Sequence, residues 1–173
     1  EALLAAGHDV RFVMRPMGGV DTRQKPILKR HRGFDVAVKR ALGLSRADDA
    51  RRNPFIVAAQ RDVPAYLVGD ASCAASIELL KKEKVDVVVV AFFNQLLKRP
   101  FLEATPHGAV NLHPSLLPRY RGPASLFSKF KDGALESGLT LHQIAPGEDD
   151  GDVLLQAAVE VPFGMPGEEL VDD

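Results

Sequence analysis

The sequence predicts an α/β fold built on a doubly wound, mostly parallel sheet, on three observations. Apolar runs of strand length alternate with stretches of helical periodicity along the chain. The most apolar run, "VDVVVVAFF" at 85–93, is almost entirely β-branched or aromatic, as a parallel strand covered on both faces requires. Polar residues of catalytic type follow a later strand at its carboxyl end, where open parallel sheets bind ligands.

The elements follow in order. Glu1 to Ala6 reads as the last turns of a helix, Gly7 as the left-handed residue that closes it, and Val10–Met14 as a strand. A helix that starts mid-stride leads us to expect a strand and helix upstream, so that the first strand of the sheet is missing here. Residues 16–54 read as irregular and basic, with a short helix near 34–43 from the spacing of Phe34, Val38, Ala41 and Leu42. "VPAYLVGD" (63–70) is a short strand. "SCAASIELLKKEKV" (72–85) is a helix with Ser72 as its N-cap and Ile77, Leu79 and Leu80 on its buried face.

Val85–Phe92 is the central strand, and "NQLLKRPFLEATP" a turn or helix leading to the strand "GAVNLH" (108–113). Pro123 starts and Gly133 ends a helix over 123–133. "SGLTLHQIA" (137–145) alternates as a strand with one wetter face, and "VLLQAAVEVP" (153–162) follows the acidic turn "GEDDGD". These last strands form antiparallel edges. The "GG" at 18–19 lacks the spacing of a dinucleotide fingerprint, so that function is not supported.

Composition narrows the class further. With 173 residues, 46% of them apolar and 26% charged, the chain can close one domain (1–173) around its own core without staples. Cys73 is the only cysteine, which excludes an internal disulfide and a four-cysteine zinc site. A reducing, cytoplasmic setting is the natural expectation. No run reaches transmembrane length. Net charge is −1, but ten Lys/Arg stand against four Asp/Glu between Asp21 and Pro54. From Asp132 to Asp173 there are eleven acidic residues and no basic one. Such asymmetry marks either a surface for an anionic partner or two solvated faces.

The chemistry concentrates in "AVNLHPSLLPRYRGPAS" (109–125). Asn111 and His113 are two apart on a strand and so face the same side. An amide N–H can stabilise an oxygen that becomes negative in a tetrahedral intermediate, and an imidazole can move a proton near neutral pH. Acyl transfer to an amine needs both. A carboxylate to orient the imidazole is still required, and "GEDDGD" offers Asp149, Asp150 and Asp152.

"NLHPSLLPRYRGP" followed by "SGLTLHQIAPGEDDGDVLLQ" resembles the folate-dependent formyltransferases, a family that includes methionyl-tRNA, glycinamide ribonucleotide and nucleotide-sugar formyltransferases. The likeness spans the chain loosely and is sharp over about 85–156. It implies a partial catalytic domain of the formyltransferase fold, with 10-formyltetrahydrofolate as formyl donor and no metal. By that resemblance Asn111, His113 and Asp149 are catalytic; Asp149, 36 residues after His113, is the acid. Ser115, Leu116, Leu117 and Pro118 match the loop that holds the folate. "AFFNQLL" (91–97) matches a wall of the pterin pocket, with Phe93, Leu96 and Leu97 as contacts. Phe93-Asn94 departs from the family's Gly-x there. Thr140 matches a hydroxyl beneath the catalytic acid.

Arg119 and Arg121 could bind acceptor phosphate or pair with the acidic C-terminal turns. The Arg-Tyr-Arg-Gly-Pro form and the basic 21–54 segment resemble the tRNA and nucleotide-sugar branches. The resemblance therefore implies initiator methionyl-tRNA as acceptor, or a nucleotide-linked amino sugar, and a further C-terminal domain. Two other functions stay open at this point: a hydrolase releasing formate, and a non-catalytic folate-binding module. His142, alternating with Thr140 on its strand, is a weaker candidate for a supporting role, and His107 reads as solvated.

Overall fold

The computed structural model describes residues 2–17, 28–31 and 54–161. The chain divides into two compact units, residues 1–83 and 84–173.

In the first unit a three-stranded sheet of order β1-β3-β2 is formed by β1 (Val13–Pro16), β2 (Leu28–His31) and β3 (Ala65–Val68). β1 runs parallel to β3 and β2 antiparallel to it. Among the described residues, helices α1 (Ala2–Ala5), α2 (Pro54–Gln60) and α3 (Ala74–Lys82) also belong to this unit. Phe55, Ala58 and Ala65 form its buried cluster, with Val13, Val63 and Leu67 packed on it. Gly7 closes α1 in the left-handed region, as expected.

Three local expectations change. β1 sits later than Val10–Met14, and β2 lies within a stretch that reads as irregular. The helix expected near 34–43 falls outside the described residues. α3 begins after Cys73, not Ser72. The Ser72 amide is taken by the Asp70 carboxylate at 2.9 Å, which closes a turn just before the helix and displaces the N-cap. Ser76 and Leu80, not Ile77 and Leu79, are its buried residues.

The second unit carries a four-stranded sheet of order β4-β5-β6-β7: β4 (Val88–Ala91), β5 (Ala109–His113), β6 (Glu136–Gln143) and β7 (Val153–Glu160). β4 and β5 are parallel; β6 and β7 add on as the expected antiparallel strands. Helices α4 (Arg99–Leu102) and α5 (Ser125–Lys131) belong to this unit. β4 is not covered on both faces: burial alternates along it and Val89 is 48% exposed. A continuous β-branched run suits a strand wherever it lies, so the side it buries is decided by neighbours alone. α5 starts at Ser125, because Gly122 holds a left-handed turn (φ 88°) immediately upstream of Pro123.

The loop from His113 to Pro118, which ends in a cis Leu117–Pro118 bond, is bound to β6 and β7 by polar side chains. Thr140 on β6 is fully buried. Its hydroxyl donates to the Ser115 carbonyl (2.6 Å) and accepts from the Leu117 amide (3.1 Å) and the Gln156 amide (2.9 Å). Gln156 on β7 also donates to the Leu117 carbonyl at 2.8 Å. Thr140→Val keeps the shape but strands these partners, so it should lower the unfolding free energy by about 1–3 kcal/mol, read from urea denaturation.

Lys129, on α5, is only 4% exposed. Its ammonium donates to the Pro114 carbonyl (2.7 Å) and to the Ser137 hydroxyl. Burial disfavours the charged form and lowers its pKa from the ordinary 10.5. Between that lowered value and 10.5 the unfolded chain binds more protons than the folded one. Folding stability therefore rises with pH across the window. Relative to Lys129→Met, the wild type should gain stability as pH climbs toward 10.5, measured as the difference in denaturation midpoints.

Candidate active site

β5 delivers Asn111 and His113 to its carboxyl end, on one side of the strand. β6 runs antiparallel alongside and sets His142 opposite Asn111 and Thr140 opposite His113. The chain then turns back through 144–152 to start β7. The turn is clasped by the Gln143 amide on the Asp152 carbonyl (2.8 Å). Gly151 packs directly on the Gln143 carbonyl, where any Cβ would collide with backbone. Asp149 sits on this turn with φ 47°, a left-handed conformation that aspartate tolerates better than most residues.

The Asp149 carboxylate is the meeting point of the site. Oδ2 accepts the Gly122 amide at 2.8 Å and lies 3.4 Å from His113 Nδ1. Oδ1 accepts the Asn111 amide at 3.3 Å and lies 3.5 Å from His142 Nε2. His113, His142 and Asp149 are all largely withdrawn from water, so these contacts act in a medium that screens them weakly.

The ring tautomers follow from the acceptors around them. His113 Nε2 lies 2.9 Å from the Tyr120 carbonyl, which can only accept, so Nε2 carries a hydrogen. Nδ1 is left facing Asp149. The neutral ring satisfies one of these two oxygens and the imidazolium satisfies both. His142 Nδ1 lies 2.9 Å from the Gln143 carbonyl and is the protonated nitrogen of that ring. Its Nε2 then accepts from Asn111 Nδ2 at 3.2 Å. Both hydrogens of the Asn111 amide thus point at protein acceptors, which fixes the amide's orientation. A negative oxygen arriving beside it has to compete for one of them.

A cavity of about 280 Å³ opens over these groups. Its apolar wall includes Phe92, Phe93, Leu96 and Leu97, and its polar side Asn111, His113, His142 and Asp149. Of the residues expected from sequence, the structure therefore brings Asn111, His113, Asp149, Phe93, Leu96 and Leu97 to one place. Ser115, Leu116, Leu117 and Pro118 do not line this cavity. Ser115 and Leu117 are buried, and the Ser115 hydroxyl donates to the Arg119 carbonyl at 2.8 Å. Their polar atoms hold the loop together.

Thr140 touches that loop and not Asp149, a difference from the expectation that it lies beneath the acid. The reason is register: opposite His113 it points under the loop, and His142, two residues on, occupies the place beside the carboxylate. His142 was legible as the next same-face residue of an alternating strand, but nothing local distinguished it from a core histidine. Arg121 pairs with Asp150 at 2.9 Å, and Arg119 stacks on the Tyr120 ring at 5.2 Å. Arg121 thus takes up an acidic-turn partner, and both arginines remain exposed.

Comparison with known proteins agrees with this geometry. The profile of the formyl transferase family matches residues 36–171. A methionyl-tRNA formyltransferase of Variovorax paradoxus is 33% identical over 169 residues, covering 93% of this chain and 46% of its own length. Glycinamide ribonucleotide transformylase 1 from Symbiobacterium toebii superposes with a TM-score of 0.61 at 27% identity, over 96% of this chain and 80% of that one. A formyltetrahydrofolate deformylase from Pseudomonas syringae shares the fold, with a TM-score of 0.62 at 21% identity over 93% and 54% of the two chains. The chain spans about a third to a half of the length of the curated relatives it matches. Among the described residues no helix is long and apolar enough to cross a membrane. With an Asn-x-His strand, an aspartate turn closing on it and a profile match over most of its length, this chain belongs to the formyl transferase family.

Proposed function

We propose that this chain is the catalytic part of an enzyme that moves a formyl group from 10-formyltetrahydrofolate to an amine. The observation that carries the reading is the convergence of Asn111, His113 and the Gly122 amide on Asp149 at the edge of a cavity with an apolar wall. Such a lining suits a flat heteroaromatic donor, with hydrogen-bonding groups only where the reaction occurs. When bound, the donor supplies the formyl carbon and a leaving nitrogen.

The acceptor amine attacks that carbon. One Asn111 N–H swings from its protein acceptor onto the developing oxyanion. Because His113 Nε2 is held by the Tyr120 carbonyl, Nδ1 is the nitrogen that moves a proton from the amine toward the departing nitrogen. Asp149, 3.4 Å from Nδ1, stabilises the charged ring while it holds that proton.

For the acceptor, we favour methionyl-tRNA. The support is the 33% identity to a methionyl-tRNA formyltransferase across 93% of this chain, together with the basic segment 21–54. A nucleotide-linked amino sugar is the second reading, favoured by the exposed Arg119 and Arg121, which suit any phosphate beside the amine.

Assays with 10-formyltetrahydrofolate against charged initiator tRNA, an amino-sugar nucleotide and glycinamide ribonucleotide separate these acceptors. Formate release with no acceptor present would instead make the protein a hydrolase. Asn111→Ala, His113→Ala and Asp149→Ala should each slow transfer by about a hundredfold or more. Near-normal turnover in the His113 or Asp149 variant would sink the mechanism. Arg119→Ala and Arg121→Ala should raise KM for a phosphate-bearing acceptor and leave donor KM unchanged.

A further inference from the structure

Lys129 is an expensive residue to keep where it is. An ammonium taken out of water needs compensation, usually from a carboxylate. Here, among the described residues, its hydrogen bonds go to two neutral oxygens, the Pro114 carbonyl and the Ser137 hydroxyl, and burial is the one influence on its ionisation. It does not line the cavity and touches neither Asn111 nor Asp149. Its link to the site is Pro114, which follows His113 directly and forms part of the cavity wall.

The other carbonyls of this loop are served by neutral donors. The Ser115 amide donates to the His113 carbonyl (2.9 Å), Thr140 to Ser115 and Gln156 to Leu117. Pro114 receives the charged donor, and charge-assisted hydrogen bonds are roughly twice as strong as neutral ones. Pro114 is also the point at which the chain leaves β5, one residue after His113. The ring has little slack: Nε2 must stay on the Tyr120 carbonyl while Nδ1 faces Asp149.

We propose that Lys129 is a positioning residue for formyl transfer, holding the Pro114 carbonyl so that the His113 imidazole stays aligned between Tyr120 and Asp149. This rests on the function proposed above. A purely structural Lys129 would matter instead through Ser137, as a tie between α5 and β6. The two roles are separable because Ser137→Ala cuts only that tie, whereas Lys129→Met cuts both and Lys129→Arg restores a charged donor.

The test compares wild type with these three variants in Tm, in kcat and KM for 10-formyltetrahydrofolate, in the pH profile of kcat/KM, and in the histidine ring ¹⁵N spectrum. Lys129→Met should lose about ten- to a hundredfold in kcat, the scale of a small misplacement of a catalytic group. Its pH profile should move, and so should the His113 ring nitrogen shifts. Ser137→Ala should keep the wild-type kcat, profile and shifts even where its Tm falls, and Lys129→Arg should recover part of the loss. Wild-type kinetics in Lys129→Met, or equal losses in Ser137→Ala, would overturn the assignment. Should Lys129→Met fail to fold, Ser137→Ala still decides: a fallen kcat with a moved pH limb overturns the role, and wild-type values support it. If the wild type transfers no formyl group, the proposed function has failed, and the ¹⁵N shifts judge the positioning role by themselves.

Discussion

The site depends on one buried carboxylate and the four groups it gathers. Asp149 binds the Gly122 amide and the Asn111 amide, and faces the rings of His113 and His142. These partners come from the end of β5, the turn before α5 and the end of β6. Sheet pairing brings β5 and β6 together, but the turn before α5 is joined to them through the carboxylate. Removing the charge would free the Asn111 amide to turn over and leave His113 Nδ1 without an acceptor. The left-handed backbone at Asp149, and the closeness of Gly151 to the Gln143 carbonyl, are what bring a surface turn down to this depth. A conformation that is sparsely populated in general is held here because its side chain is bonded on several sides.

Around that carboxylate the protein uses hydrogen bonds where most cores use apolar packing. The buried Thr140, Ser115 and Lys129, with Gln156 from β7, together bind the carbonyls of Pro114, Ser115, Leu117 and Arg119. Directional bonds fix the rotation of each peptide, which apolar contact does less well. A loop that must hold an imidazole within a few tenths of an ångström gains from that. Apolar residues, Phe92, Phe93, Leu96 and Leu97, line another part of the cavity, where contact with a ligand needs apolar surface more than an exact orientation.

Much of this was visible in the chain before any coordinates. β5 and β6 lie within two residues of their expected ends, because Asn111/His113 and Thr140/His142 alternate on strands bounded by glycine and an acidic turn. The Asn-x-His pair was legible from its two-residue spacing on a strand, the choice of Asp149 among three acidic candidates rested on the family resemblance, and the structure brings those residues together. Reading went less well where several states share one pattern. The β-branched run at 85–93 could not say which of its faces would be covered. Basic residues around Leu28–His31 concealed a strand, since an antiparallel edge tolerates charge. Ser72 looked like a cap until Asp70 claimed its amide.

By itself, then, the sequence determined the α/β class, the order along the chain of the strands that carry the chemistry and the pairing of Asn111 with His113, because strand periodicity and residue type are local properties, while Asp149 was picked out only by the family resemblance. Tertiary structure decided the rest. Whether Thr140 or His142 would stand beside the acid depended on the pairing of β6 with β5. The tautomers of the two histidines depended on carbonyls at Tyr120 and Gln143. That Lys129 reaches Pro114 depended on how α5 folds back over the loop. Contacts between residues so far apart in sequence leave no periodic trace in it, and so only the folded chain could assign them.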